Sequence, residues 1–271
     1  MLSGATLGQF CPKDSVIHKL DPRVKIISTL FFIVLTFLST SYLSLATLFA
    51  TLILTMLLSK ISIKTYFKNI KVILFVVFFT AIMNLFYSSG EVIFQLGFLK
   101  LTSFGIHNSV FVALRFTLLV LSGSILTYVT SPSDLTYAIE KLLAPLSLFK
   151  INTSNIAMML TISLRFVPVL IEEIDKISNA QKARGSQLEC GNLKQRAKAL
   201  VPILVPLFVL SFKRATDLAV AMECRCYNCD QKRTHMKILK FTKNDIFAII
   251  VLFLLLAAIL KFNHYFQVVV L

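Results

Sequence analysis

Two arginines at the ends of long segments that run from apolar to polar are the residues best suited to grip something outside the chain. Arg184 lies in Ala183-Arg184-Gly185 and Arg225 in Cys224-Arg225-Cys226, 41 residues further on. A guanidinium is a planar fork of donors that fits carboxylates, carbonyls and phosphates, and at a helix C-terminus it also meets a favourable dipole. Gly185 suits the left-handed position that closes a helix, so the first segment is expected to end there. Taken alone, both arginines also read as ordinary cationic caps.

Other reactive groups give weaker patterns. Cys224-x-Cys226-x-x-Cys229, with His235 six residues on, invites a zinc or redox reading. The spacing is not that of the usual structural zinc sites, so no metal site is assigned and reduced thiols near a helix end are expected. Five cysteines in all, an odd and clustered set, fit a reducing compartment better than a disulfide frame. Arg115 sits inside an apolar run about 9 Å from its end, close enough to snorkel. Arg165 is two turns from Glu172 and Glu173, too far for an intrahelical pair, and is expected to anchor one helix to another. No phosphate-binding G-x-x-x-x-G-K-[ST] loop, Ser/His/Asp set or Glu-x-x-His motif occurs. The chain is therefore expected to be non-catalytic, with no cofactor of its own.

The elements that must position these arginines are long helices. Residues 156–171 are almost wholly apolar, Glu172-Glu173-Ile174-Asp175-Lys176 turns polar, and the segment stops at Gly185. A second lap repeats the plan: Leu200 to Leu210 is apolar, Lys213, Arg214 and Asp217 follow, and Glu223 begins the end. Ser131-Pro132-Ser133-Asp134 is a good start for a shorter helix before them. Pro202 and Pro206, four apart on one face, are expected to bend the third helix. The apolar halves are too greasy for a solvated bundle, so the three helices should lie along a membrane surface or against another membrane protein.

Composition fixes the class. The chain has 271 residues, 56% of them hydrophobic, and only 15% charged, with mean hydropathy +0.79. Soluble domains carry about 25% charge, so this is an all-α polytopic membrane protein by composition and run length. About five spans are expected, near 26–40, 43–59, 72–88, 109–130 and 245–260. The segment 90–108 reads as a loop or short hairpin, and no cleavable signal peptide is expected before the first span. Three regions follow: 1–130 with four spans, 131–243 with the surface helices, and 244–271 with the last span. A net charge of +15 does not signal nucleic acid here; it marks the cytoplasmic face and anionic lipid. With the N-terminus inside, the segments 1–25, 60–71 and 131–243 hold 25 of the 28 Lys and Arg residues. Lys60, Lys64, Lys68 and Lys71 give one of these segments a basic helical face.

In order along the chain, the motifs resemble the transmembrane coupling subunit of energy-coupling factor (ECF) transporters, the EcfT/CbiQ family. The resemblance rests on the two X-Arg-X signatures with their flanks. These are Leu164-Arg165-Phe166-Val167-Pro168, Ala180-Gln181-Lys182, Pro202 and Pro206, and Ala221-Met222-Glu223 with Tyr227. It extends to Asp14-Ser15 and His18-Lys19-Leu20-Asp21-Pro22-Arg23. Cys224 and Cys226 depart from it, standing where alanine and a small residue are usual.

The resemblance implies a bacterial or archaeal cell-membrane importer for a vitamin or metal ion. Its partners would be two ABC-type ATPase subunits and a small substrate-binding membrane subunit, with this chain as the linker. Ala183, Arg184 and Gly185, and Cys224, Arg225 and Cys226, would dock the ATPases, supported by Arg165, Pro168, Pro202, Pro206 and Glu223. Two other readings stay open. A stand-alone secondary transporter is weakened by the lack of Asp, Glu or Pro inside the five expected spans, Asp245 standing only at the very start of the last. A metal-binding membrane protein would rest on the cysteine cluster alone.

Overall fold

A computed structural model describes residues 10–62, 65, 66, 74, 75, 77–83, 92–96, 99–145, 153–186, 193–228 and 241–265. Seven helices are delimited: α1 Pro22–Leu38, α2 Tyr42–Ser59, α3 Ser103–Val129, α4 Pro132–Leu143, α5 Thr153–Ala183, α6 Leu193–Glu223 and α7 Lys243–Tyr265. The polytopic helical fold is as expected. A two-stranded antiparallel hairpin, β1 Val92–Leu96 and β2 Leu99–Thr102, fills the segment read as a loop or hairpin. Thr102 then caps α3 by accepting from the Gly105 amide at 3.1 Å, so that helix begins six residues earlier than its apolar run.

One compact unit draws on residues 8–138 and 238–271, the other on 139–237. In the first unit α1 packs on α3 and α7, and α2 on the same two helices. Their meeting surface is apolar: Leu35, Leu45, Leu48, Leu52, Phe111, Leu118 and Ile259 are all buried. Hydroxyls within this region turn back on their own helices. Thr47, Thr51 and Thr55 each donate to the carbonyl three residues earlier, at 2.7–2.8 Å. A polar group satisfied locally costs little in an apolar medium.

Polar ties close both ends of this unit. At one end Asp21 caps α1, accepting from the Arg23 amide at 2.9 Å, with Pro22 in the first helical position. The Asp21 amide in turn donates to Asp245 at the start of α7, at 2.8 Å, and Asp245 is fully buried. Lys25 reaches the His18 and Val129 carbonyls at 2.9 and 3.3 Å, the second lying at the C-terminus of α3, where a cation is favoured. His18 Nε2 donates to the Cys11 carbonyl at 3.0 Å, so Nδ1 accepts from the Ser15 hydroxyl at 2.7 Å. Burial lowers the His18 pKa and favours this neutral ring.

At the other end, Ser41 and Ser44 form a capping box for α2. Arg115 donates from α3 to the Ser39 carbonyl at the end of α1, at 2.6 Å, and its guanidinium lies 4.8 Å from the Phe111 ring centroid. Snorkelling was the expectation for Arg115; the structure instead gives it a helix C-terminus to cap. Asn263 of α7 completes this end, donating to the Leu38 carbonyl at 2.7 Å and accepting from the Thr40 amide at 3.2 Å.

Among the described residues five helices are long and apolar enough to cross a membrane: α2, α3, α5, α6 and α7. Three coincide with expected spans. At 17 residues α1 falls just short of that length; the expected span at 72–88 lies only in part within the described residues, and Lys64, Lys68 and Lys71 lie outside them. The other two, α5 and α6, were read as surface helices, and length and composition alone admit them as spans too.

Candidate functional site: two arginine-capped helix ends

The local sequence builds a helical hairpin from α5 and α6 within the 139–237 unit. The short α4 precedes it in the chain, with Ser131 accepting from the Asp134 amide at 3.1 Å, as its Ser-Pro-Ser-Asp start predicts. Each long helix is 31 residues and carries proline inside: Pro168 in α5, and Pro202 and Pro206 in α6. Proline removes the amide that would bond the carbonyl four residues back. Pro206 therefore frees the Pro202 carbonyl, and Gln181 of α5 donates to it at 3.5 Å.

A second contact pins the pair. Arg214 of α6 forms a direct ion pair with Glu173 of α5, whose side chain is 17% exposed; Lys176 lies 3.7 Å from the same oxygen. Going from Glu173 to Gln181 along α5 means going from Arg214 back to Pro202 along α6, so the helices are antiparallel. Arg165, expected to be the inter-helix anchor, is not. It is exposed and makes no ion pair or hydrogen bond among the described residues, and Arg214 does that work. Sequence reasoning missed the pin, although a signal existed: Glu173 and Arg214 are separated by the same 41 residues as Arg184 and Arg225.

Both helix ends close in the same way. At the first, the Gly185 amide donates to the Lys182 carbonyl at 3.0 Å and the Ser186 amide to the Gln181 carbonyl at 3.0 Å. At the second, the Cys226 amide donates to the Glu223 carbonyl at 2.8 Å and the Tyr227 amide to the Met222 carbonyl at 3.0 Å. This paired 5→2 and 6→1 pattern is a Schellman cap at each end, and it requires a left-handed residue just after the cap position. Gly185 fills that position at φ +84° and Cys226 at φ +56°. Arg184 and Arg225 thus occupy one and the same structural position, immediately before the left-handed residue. Ala183 and Cys224 precede them as equivalents, with Lys182 and Glu223 one residue earlier.

Both arginines are exposed, and among the described residues neither guanidinium has a hydrogen bond or ion pair. Two unspent donor forks, each placed by a Schellman cap, can take an acidic or carbonyl-rich surface. Cys224 and Cys226 are free and exposed, while Cys229 and His235 lie outside the described residues. No group of three or more His, Cys, Asp or Glu side chains among the described residues is arranged to hold a metal ion. Along α6 the surface is apolar: Leu200, Val201, Leu204, Val205, Phe208 and Phe212 are all exposed. Pro202 is exposed amid them, and Pro168 is exposed on α5.

Comparison with known proteins gives the family. The cobalt transport protein family, CbiQ, matches residues 13–236, a range that takes in both arginine-capped ends. The chain belongs to the CbiQ/EcfT family. Among its relatives, the energy-coupling factor transporter transmembrane protein EcfT of Ruminiclostridium cellulolyticum is 46% identical over 248 residues, 91% of this chain and 92% of that one. The EcfT of Clostridium kluyveri is 46% identical over 250 residues, 92% and 93% of the two chains. That of Bacillus subtilis is 40% identical over 263 residues, 97% and 99% of the two. A CbiQ/EcfT chain is a multi-pass membrane component of a transport system, and the apolar helices described above are what that requires.

Proposed function

We infer that this subunit couples two ATPases to a substrate-binding membrane partner in an ECF-type importer. The single observation that carries the reading is the identity of the two caps. Two equivalent arginines, presented by the same backbone geometry, suit two similar ATPase subunits, each offering a groove with carboxylates or carbonyls. Their placement adds support. Arg184 follows Glu173 by eleven residues and Arg225 follows Arg214 by eleven, so each tip lies roughly 16 Å along its helix from the ion pair, on opposite sides of it. ATP-driven closure of the two ATPases would draw on both tips at once and shift the hairpin about its pin. The uncovered apolar faces of α5 and α6 suit the substrate-binding membrane subunit, lipid, or both.

In this reading the tips face the cytoplasm, and the N-terminus shares that side, as the distribution of Lys and Arg favours. The chain itself hydrolyses nothing; ATP hydrolysis belongs to the ATPases. Substrate choice, a vitamin or a metal ion, belongs to the membrane partner. Arg184→Ala and Arg225→Ala test the docking role. Truncating a buried charged contact typically costs ~2–5 kcal/mol, so each single variant should lose ATPase during purification, and the double variant more. Full ATP-dependent uptake together with intact complex in the double variant excludes the docking role.

A further inference from the structure

We propose that Cys224 and Cys226 form a thiol–disulfide site, open to low-molecular-weight disulfides, whose oxidised form is incompatible with the cap around Arg225. Only its consequence for docking rests on the function proposed above.

Both thiols are exposed and free, and they flank a cap that its twin builds without sulfur. Cys226 holds φ +56°, where the first end has Gly185 at φ +84°. A left-handed residue with a Cβ is strained, so the second cap is the more easily opened of the two. Cys224 directly follows the last helical residue, its amide still donating to the Val220 carbonyl at 2.9 Å. Cys224 keeps the helical bonding pattern while Cys226 is left-handed, and a disulfide between them would close a small ring across the single residue Arg225 with its Cβ atoms drawn within about 4.5 Å. Joining the two sulfurs therefore requires the Cys226 and Tyr227 amides to leave the Glu223 and Met222 carbonyls. The strain released at Cys226 offsets part of that loss.

The chemistry balances in two exchanges. One thiolate attacks a small disulfide, forming a protein mixed disulfide and expelling one small thiol. The second cysteine then attacks the mixed disulfide, forming the Cys224–Cys226 bond and expelling the second small thiol. The protein loses two protons and two electrons, which the small disulfide gains. A strained, exposed disulfide of this kind is readily reduced, so the modification is reversible.

The test uses the full-length chain in detergent, with Cys11, Cys190 and Cys229 replaced by serine. Oxidised glutathione is the probe, iodoacetamide quenches, and mass spectrometry reads the product alongside amide hydrogen exchange. The expected result is a Cys224–Cys226 peptide two hydrogens lighter, with exchange at the Cys226 and Tyr227 amides faster by on the order of tenfold or more. Dithiothreitol should reverse both, and Cys226→Gly should abolish both while keeping the cap. No reaction, a glutathione adduct that never closes, or closure with unchanged protection of the two amides would each overturn the proposal. Retention of the ATPases is measured in parallel. An oxidised end that still holds them removes the docking role of Arg225 and leaves the thiol–disulfide site standing.

Discussion

At the scale of single residues, the two caps differ in one atom group that matters. Gly185 carries no Cβ and its left-handed turn is free of strain, while Cys226 bears that strain at an equivalent position. Cys226→Gly should therefore stabilise the α6 end by about 1 kcal/mol, and Gly185→Ala should destabilise the α5 end by a similar amount. Site-resolved hydrogen exchange of the cap amides measures both, and slower exchange in Cys226→Gly is the outcome expected. The first cap was legible in the sequence because glycine after a polar helical turn has few other uses. The second was not, since nothing in a cysteine announces a positive φ; only its place one residue after Arg225 does. The choice of Arg165 as anchor failed for a related reason. Sequence spacing shows which charges share a helix face, but not which face meets the neighbouring helix, and here it is the face bearing Glu173 and Arg214.

At the scale of elements, the α5–α6 hairpin has few internal holds. Ala157 and Ile203 are among its few buried apolar side chains, so the Glu173–Arg214 pair and the Gln181–Pro202 contact bear much of the registration. Glu173→Gln and Arg214→Gln are each expected to loosen the hairpin. The double variant should lose less than the two single losses combined, with a coupling of about 1 kcal/mol for a partly exposed pair. Thermal unfolding of the four proteins in detergent gives that cycle directly, and strict additivity would show the pair to be idle. Helix ends marked by Ser131, Asp21 and Gly185 were legible, because capping chemistry is local. The N-terminal starts of α3 and α6 were not: Ser103 precedes its apolar run because Thr102 caps the helix there, and before Leu200 residues of good helix propensity extend α6 without announcing it.

At the scale of the whole chain, composition alone identifies a helical membrane protein, yet the contacts that close its larger unit could not be read from it. Asp245 accepts from the Asp21 amide, and from the Thr242 amide and hydroxyl at 2.7 Å each. The Asp21 contact spans 224 residues of sequence, and no local pattern relates its partners. Asp245→Asn places a donor where three donors converge, and hydrogen bonds to a charged acceptor contribute ~1.5–3 kcal/mol each. A marked fall in Tm is expected, larger than that of Asn263→Ala at the exposed opposite end. Equal Tm values for Asp245→Asn and the unaltered chain would show that Asp245 is dispensable.

The reliance on α7 at both ends has a consequence for how the protein is made. Asp245 completes one end and Asn263 the other, and both arrive in the last helix to be synthesised. At ~5–20 residues per second, roughly 10–45 s separate emergence of Asp21 from that of Asp245. During that interval the Asp21 amide and the Leu38 carbonyl lack their final partners, so α1, α2 and α3 insert as an unlatched set. Quality control in the membrane thus has a defined window in which an incomplete chain differs from a finished one, and arrival of the last helix ends it.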